Sequence, residues 1–146
     1  MRIRSSPGFS IIEVVMVIGI IAIVFGLGLS FSLSIYQSQM LNAERDNLAV
    51  ILGRARSEAL SNLNESDHGV YIGSDNYVIF QGDTYASRNA AGDEIFPRTG
   101  GLIISGLSEV NFRSLDARVA GPGTVTLTNG IRTVAVSVNG EGMIDW

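Results

Sequence analysis

The chain has 146 residues, no cysteine and no lysine, and its ten arginines face fourteen acidic side chains, which gives a net charge of −4. The absence of cysteine excludes disulfides and thiolate metal sites. The acidic balance argues against a broad nucleic-acid surface, which normally needs a basic patch. The length leaves room for one domain of about 110 residues with a single modest core beyond the N-terminal apolar segment.

The N-terminal apolar segment follows a short basic leader. The leader, residues 1–8, contains two arginines and runs directly into residues 9–35, which are apolar except for Glu13 near the start. The segment exceeds the roughly 20 residues that a helix needs to cross a bilayer. No basic residue follows until Arg45, so the positive-inside bias places the N-terminus in the cytoplasm. We therefore expect a transmembrane helix over 9–35 and an exported head over 36–146.

Simpler interpretations leave part of this segment unexplained. A secretory signal usually has an apolar core of only about 7 to 15 residues. A plain single-pass anchor does not explain Glu13, and a buried helix of a soluble domain does not explain the polar composition after Tyr36. A carboxylate near the hydrocarbon boundary costs on the order of 2.5 to 3.5 kcal/mol and normally faces a partner. A cut between Gly8 and Phe9 would create an α-amine that could pair with Glu13 of the same or a neighbouring subunit.

The string SPGFSIIEVVMVIGIIAI, residues 6–23, resembles the class III signal of type IV pilins and type II secretion pseudopilins. The resemblance implies that a prepilin peptidase cuts after Gly8 and methylates the new N-terminus at Phe9. It also implies that Glu13 guides docking into a filament. Pro7 stands where a basic residue is more usual, and the leader carries arginines where lysines are common.

The chain is expected to continue as an amphipathic helix over residues 36–63. Arg54 and Glu58 lie four residues apart and are expected to pair on its surface. The segment ARSEA, residues 55–59, is similar to the helix of the GspH/FimT type of minor pseudopilin and minor pilin. Apolar residues recur at three- and four-residue steps, which predicts a buried stripe: Leu41, Leu48, Ile51, Leu52, Ala55, Ala59 and Leu63.

A β-rich region is predicted over residues 69–146. A hairpin with strands at 69–72 and 77–80 precedes a long polar loop from Gln81 to Gly101, and short strands are predicted at 102–105 and 109–113.

Two Asn-Gly pairs, at Asn129 and Asn139, separate the last alternating segments, 124–128, 131–138 and 143–146, and predict a meander. The predicted fold class is α+β, with one long N-terminal helix packed on a C-terminal antiparallel β-sheet. By resemblance, this is a pilin-like fold.

Candidate chemistry in the head is limited. His68 is the sole histidine, and without a second His or Cys it is expected to be a solvated turn residue. The resemblance also suggests that Asp83, Asp93 and Glu94 could ligate calcium, as a loop of some major pseudopilins does. Their spacing matches no EF-hand pattern, however, so solvated loop charges are favoured.

The arginines of the C-terminal third offer a second possible site. Arg113, Arg118 and Arg132 could cluster and touch DNA, as in some minor pilins of this type. Interspersed acidic residues favour ordinary surface pairs, so nucleic acid is not an expected partner. Tyr77 and Trp146 are expected to be core or rim aromatics. No catalytic, phosphate-binding or zinc motif is present, so we expect neither an enzyme nor a cofactor.

The sequence thus predicts a structural minor pilin or pseudopilin, processed after Gly8 and assembled into a type II secretion pseudopilus or a type IV pilus. The resemblance implies a single-pass protein of the inner (cytoplasmic) membrane, with its head in the periplasm or outside. Its implied partners are the prepilin peptidase, other pilins contacted through the N-terminal helix, and the inner-membrane assembly platform. The alternative is a membrane-anchored exported receptor for DNA or protein cargo that does not polymerise.

Overall fold

The computed structural model describes residues 8–146, apart from the side chains of residues 28–34. All of the predicted leader except Gly8 therefore lies outside the described residues. The chain divides into two compact units, Met1–Tyr36 and Gln37–Trp146. The helix α1, Ile11–Leu60, supplies residues to both.

In the first unit, helix α1 begins directly after Ser10. The carbonyl oxygen of Ser10 accepts hydrogen bonds from the amides of Glu13 at 3.0 Å and Val14 at 3.2 Å. Within the described residues, no helix is both long enough and apolar enough to cross a membrane. The predicted span over 9–35 includes residues 28–34, whose side chains lie outside the described part.

The second unit contains eight strands. In chain order they are β1 (His68–Ile72), β2 (Asn76–Gln81), β3 (Glu94–Pro97), β4 (Ile103–Gly106), β5 (Glu109–Phe112), β6 (Gly123–Thr128), β7 (Thr133–Val138) and β8 (Ile144–Asp145). They form two antiparallel four-stranded sheets, with the orders β3-β2-β1-β5 and β4-β6-β7-β8. The fold class is α+β, as predicted, but the expectation of one sheet is wrong.

The chain passes from one sheet to the other three times, between β3 and β4, between β4 and β5, and between β5 and β6. Gly106 ends β4 with a φ of 103°, a conformation that glycine adopts without steric cost. A Cβ at this position would lie 2.1 Å from the carbonyl oxygen of Thr124. The close approach of β6 therefore requires glycine at position 106.

The apolar stripe of helix α1 is buried in one hydrophobic core with residues of both sheets. Six of the seven predicted stripe residues are at most 3% exposed: Leu41, Leu48, Ile51, Leu52, Ala55 and Ala59. The seventh, Leu63, is 44% exposed, because helix α1 ends at Leu60 and Leu63 lies in a 3₁₀ turn. Asn62 has a left-handed φ of 53°, which stops the α-helix three residues before the predicted end at 63.

The predicted hairpin is confirmed with slightly longer strands, β1 and β2. The predicted loop from Gln81 to Gly101, in contrast, contains the strand β3. Pro97 ends this strand at the edge of its sheet, one of the few places in a sheet where proline is tolerated. The C-terminal meander of β6, β7 and β8 is also confirmed, although β7 begins at Thr133 and not at Ile131.

Candidate functional site

The predicted cleavage residues lie just before helix α1. Phe9 is 83% exposed. No described atom lies within 4 Å of a Cβ placed on Gly8. The described residues therefore leave space for a side chain at this position.

Glu13 lies in the first turn of helix α1 and is exposed. It follows Phe9 by four residues, which is about one turn in a helix. A carboxylate in the first turn also interacts favourably with the helix dipole. Ser10 and Glu13 also have the S-x-x-E spacing of a capping box. Glu13 can thus stabilise the helix start and still present its carboxylate to another molecule.

The first part of helix α1 exposes a continuous apolar surface. From Phe9 to Leu27, the large apolar side chains are between 47% and 85% exposed. Glu13 is the only charged residue within this range. Monomeric soluble proteins rarely expose apolar patches of this extent, and such patches mark contacts with a membrane or with other proteins.

A buried polar cluster in the head was missed by the sequence interpretation. Glu44 of helix α1 is only 2% exposed, and its Oε2 accepts a hydrogen bond from the Thr99 amide at 3.2 Å. Burial raises the pKa of the Tyr77 phenol, and the nearby Glu44 carboxylate raises it further. The guanidinium of Arg98 lies 5.7 Å from the centre of the Tyr77 ring. Glu44 lies in the apolar stripe, between Leu41 and Leu48, and this position was the signal for its burial.

The interpretation of His68 as a solvated turn residue is wrong. His68 begins β1 and is fully buried. Its Nδ1 lies 3.0 Å from the carbonyl oxygen of Ser66, while its Nε2 has no hydrogen-bond partner among the described residues. The strand extends one residue further than predicted, and this places the ring on the core side.

The predicted acidic loop is organised by arginines. Asp93 accepts two hydrogen bonds from Nε of Arg88, at 3.0 and 2.8 Å, and this interaction raises the pKa of the guanidinium. Glu94 pairs with Arg54, which also forms the predicted pair with Glu58 at 2.9 Å. No group of three or more potential metal ligands occurs in the described part of the chain.

The loop is attached to the outer face of the first sheet by an aromatic stack. The rings of Tyr71 and Tyr85 lie 3.8 Å apart and nearly parallel. The guanidinium of Arg88 lies 3.7 Å from the centre of the Tyr85 ring, and the Tyr85 amide donates to Glu109. The loop is therefore part of the packed head.

The three C-terminal arginines do not form one cluster. Arg113 and Arg118 line the same cleft of about 360 Å³, together with Asp67 and Asp83. Arg132 lies in the turn before β7, and the six residues of β7, which span roughly 20 Å at 3.3 Å per residue, separate it from Gly140 at the cleft.

Arg113 and Arg118 form loose surface pairs, with Asp116 at 3.8 Å and Glu141 at 4.0 Å. Of the two predicted core or rim aromatics, Tyr77 is fully buried and Trp146 is 59% exposed.

No protein-family model, curated protein or solved structure matches this chain.

Proposed function

We propose that this chain is a minor pilin or pseudopilin, cut after Gly8 and assembled through helix α1 into a filament of the type IV pilus or type II secretion kind. In this proposal residues 9–35 reside in the inner membrane before assembly. The β-rich head is then exported, and its role is structural.

The observation that carries the proposal is the combination at the N-terminal end of the chain. A continuous exposed apolar helix surface carries one carboxylate, Glu13. That carboxylate follows Phe9 by four residues, and Phe9 is itself exposed. An apolar surface of this kind is stabilised by lipid or by other apolar helices.

Glu13 has a defined task in this proposal. In an apolar environment an unpaired carboxylate is costly, whereas a carboxylate paired with an ammonium group is tolerated. Cleavage after Gly8 supplies such a group as the α-amine of Phe9. The pair would form between neighbouring subunits and fix the axial register of one helix against the next.

The head supplies a stable exported domain. Residues of helix α1 and of both sheets pack together in its core, and no disulfide is involved. The small buried cluster around Glu44 and Tyr77 links the helix to the strands. These features suit a subunit that must remain folded while mechanical load acts on its helix.

The experiment compares Glu13→Gln with the wild type in cells that contain the prepilin peptidase and the assembly platform. The amount of head recovered in sheared filaments is measured with an antibody. We expect Glu13→Gln to reduce recovery by about tenfold, equivalent to ~1.4 kcal/mol of docking free energy, without loss from the membrane. The matched control is Glu65→Gln, which removes an exposed carboxylate of the head. Equal recovery of Glu13→Gln and the control would contradict the proposed docking role.

A further inference from the structure

A small apolar groove lies between helix α1 and the last strand of the head. It has a volume of about 290 Å³ and is lined by Gly53 and Arg56 of the helix and by Met143, Ile144 and Trp146. A Cβ on Gly53 would meet no described atom within 4 Å, so the helix leaves this side open. Met143 is 64% exposed and Trp146 is 59% exposed. Two large apolar side chains therefore border an empty space.

Arg56 differs from the other arginines of the head. Within residues 37–146, five arginines lie within 4.0 Å of a carboxylate: Arg45, Arg54, Arg88, Arg113 and Arg118. Arg98 donates to the carbonyl oxygens of Gly73, Ser74 and Leu102. Arg132 is exposed in a turn. Arg56 is half-buried in an apolar groove, its Nε is buried without a partner, and no described carboxylate lies within 4.0 Å of it.

The acidic residues next to the groove do not pair with this arginine. Asp145 follows Ile144 in β8, where it pairs with Ser137. Neither its carboxylate nor that of Glu58, which pairs with Arg54, lies within 4.0 Å of Arg56. Glu141 is the partner of Arg118. The positive charge of Arg56 is therefore available to a group from another molecule.

We propose that this groove docks a segment of a partner protein that places an apolar side chain against Met143 and Trp146 and a carboxylate on Arg56. Tryptophan, methionine and arginine are the residue types enriched at protein interfaces. Arginine binds a carboxylate through two parallel hydrogen bonds. The volume is at the lower limit for small-molecule pockets and suits one or two side chains better than a cofactor.

The groove lies wholly within the second unit, and its chemistry does not depend on processing at Gly8 or on assembly of a filament. It also does not involve the cleft that Arg113 and Arg118 line. A negative result in the peptide experiment would therefore not contradict the proposed function. Failure of the proposed function would likewise not contradict binding at the groove.

The experiment uses the full chain in lipid nanodiscs. Trp146 is the only tryptophan, so its fluorescence reports on the groove directly. The probes are two capped peptides, acetyl-Ser-Leu-Glu-Phe-Ser-amide and its Gln counterpart, titrated to millimolar concentration. We expect a saturable change of Trp146 emission with at least tenfold tighter binding of the Glu peptide. Arg56→Gln should reduce this preference to less than twofold, and Arg132→Gln, which removes an exposed arginine outside the groove, should keep it.

Three results would overturn the proposal. They are equal binding of the two peptides by the wild type, a preference that survives Arg56→Gln, and the absence of a saturable response to either peptide. Sedimentation of the same samples tests the rival occupant. Self-association that is lost in Arg56→Gln would identify a second copy of this chain and not a partner protein. Far-UV circular dichroism of both variants establishes that they are folded.

Discussion

Replacement of Glu44 by alanine is expected to destabilise the head far more than replacement of an exposed acidic residue of the same helix. Glu44 is 2% exposed and accepts the hydrogen bond of the Thr99 amide. Its removal takes the acceptor away from that amide and also removes the carboxylate that raises the pKa of the Tyr77 phenol.

The magnitude follows from the groups that are left behind. A buried polar group that loses its partner costs about 1 to 3 kcal/mol. Relief of the buried charge of Glu44 offsets part of this cost. For Glu44→Ala we therefore expect a loss of about 1 to 3 kcal/mol in the free energy of unfolding. Glu44→Gln keeps an acceptor for Thr99 and should lose about 1 kcal/mol. Asp46→Ala removes only the exposed pair with Arg45 and should change the value by less than ~0.5 kcal/mol.

The assay is urea unfolding of the full chain in detergent, followed by near-UV circular dichroism. The stacked rings of Tyr71 and Tyr85 and the sole tryptophan, Trp146, lie in the head, so the tyrosine and tryptophan bands report mainly on the head. Equal free energies of unfolding for Glu44→Ala and Asp46→Ala would show that the buried cluster contributes no stability, and the reasoning would be refuted.

Two further predictions concern the same unit. Burial raises the pKa of the Tyr77 phenol above its unfolded value of about 10. The contribution of this group is therefore fully present below about pH 10 and is lost at higher pH, by up to ~1.4 kcal/mol per pH unit. Urea unfolding between pH 8 and 11 should show a smaller alkaline loss in Tyr77→Phe than in the wild type, and identical slopes would contradict the assignment. Leu115 has a φ of 73° and is 69% exposed, so Leu115→Gly should relieve backbone strain and stabilise the head by about 0.5 kcal/mol. The matched variant Leu63→Gly, at an exposed residue without a positive φ, should lower stability, and the same sign for both in thermal unfolding would count against the strain.

The helix and the C-terminal hairpins were predictable because their signals are local. Six stripe residues of helix α1 follow the helical period and are buried as expected. Asn129 and Asn139 mark the turns of the meander. The start of β7 was misplaced because the side chain of Asn129 accepts the amides of Ile131 and Arg132. A side chain that bonds nearby backbone amides competes with strand pairing.

The second sheet and the strand β3 were not predictable from the same signals. The pairing partner of β4 is determined by tertiary contacts, among them the close contact between Gly106 and Thr124. Strand β3 is short and ends in Pro97, and its flanking charges are typical of a loop. Arg54 of helix α1 pairs with Glu94 at the start of β3, and Arg88 pairs with Asp93 directly before it. These pairs become evident only in the folded structure.

The candidate functional residues also include some that the sequence predicts and some that only the fold brings together. Gly8, Phe9 and Glu13 are recognised by a motif in the sequence, and the described fold adds their exposure and the start of helix α1. The Arg56 groove has no sequence motif, because Met143 and Trp146 approach the helix only through the pairing of β8 with β7.

The most direct test of the proposed function is the intact mass and N-terminal sequence of the chain recovered from membranes, with and without a co-expressed prepilin peptidase. The expected product begins at a methylated Phe9 only when the peptidase is present, and Gly8→Val should block its formation. Gly8→Ala, which adds only a methyl group, serves as the graded control. A chain that begins at Met1 under both conditions would leave Glu13 without its proposed amine. That result would contradict the pilin assignment and favour an anchored binding module.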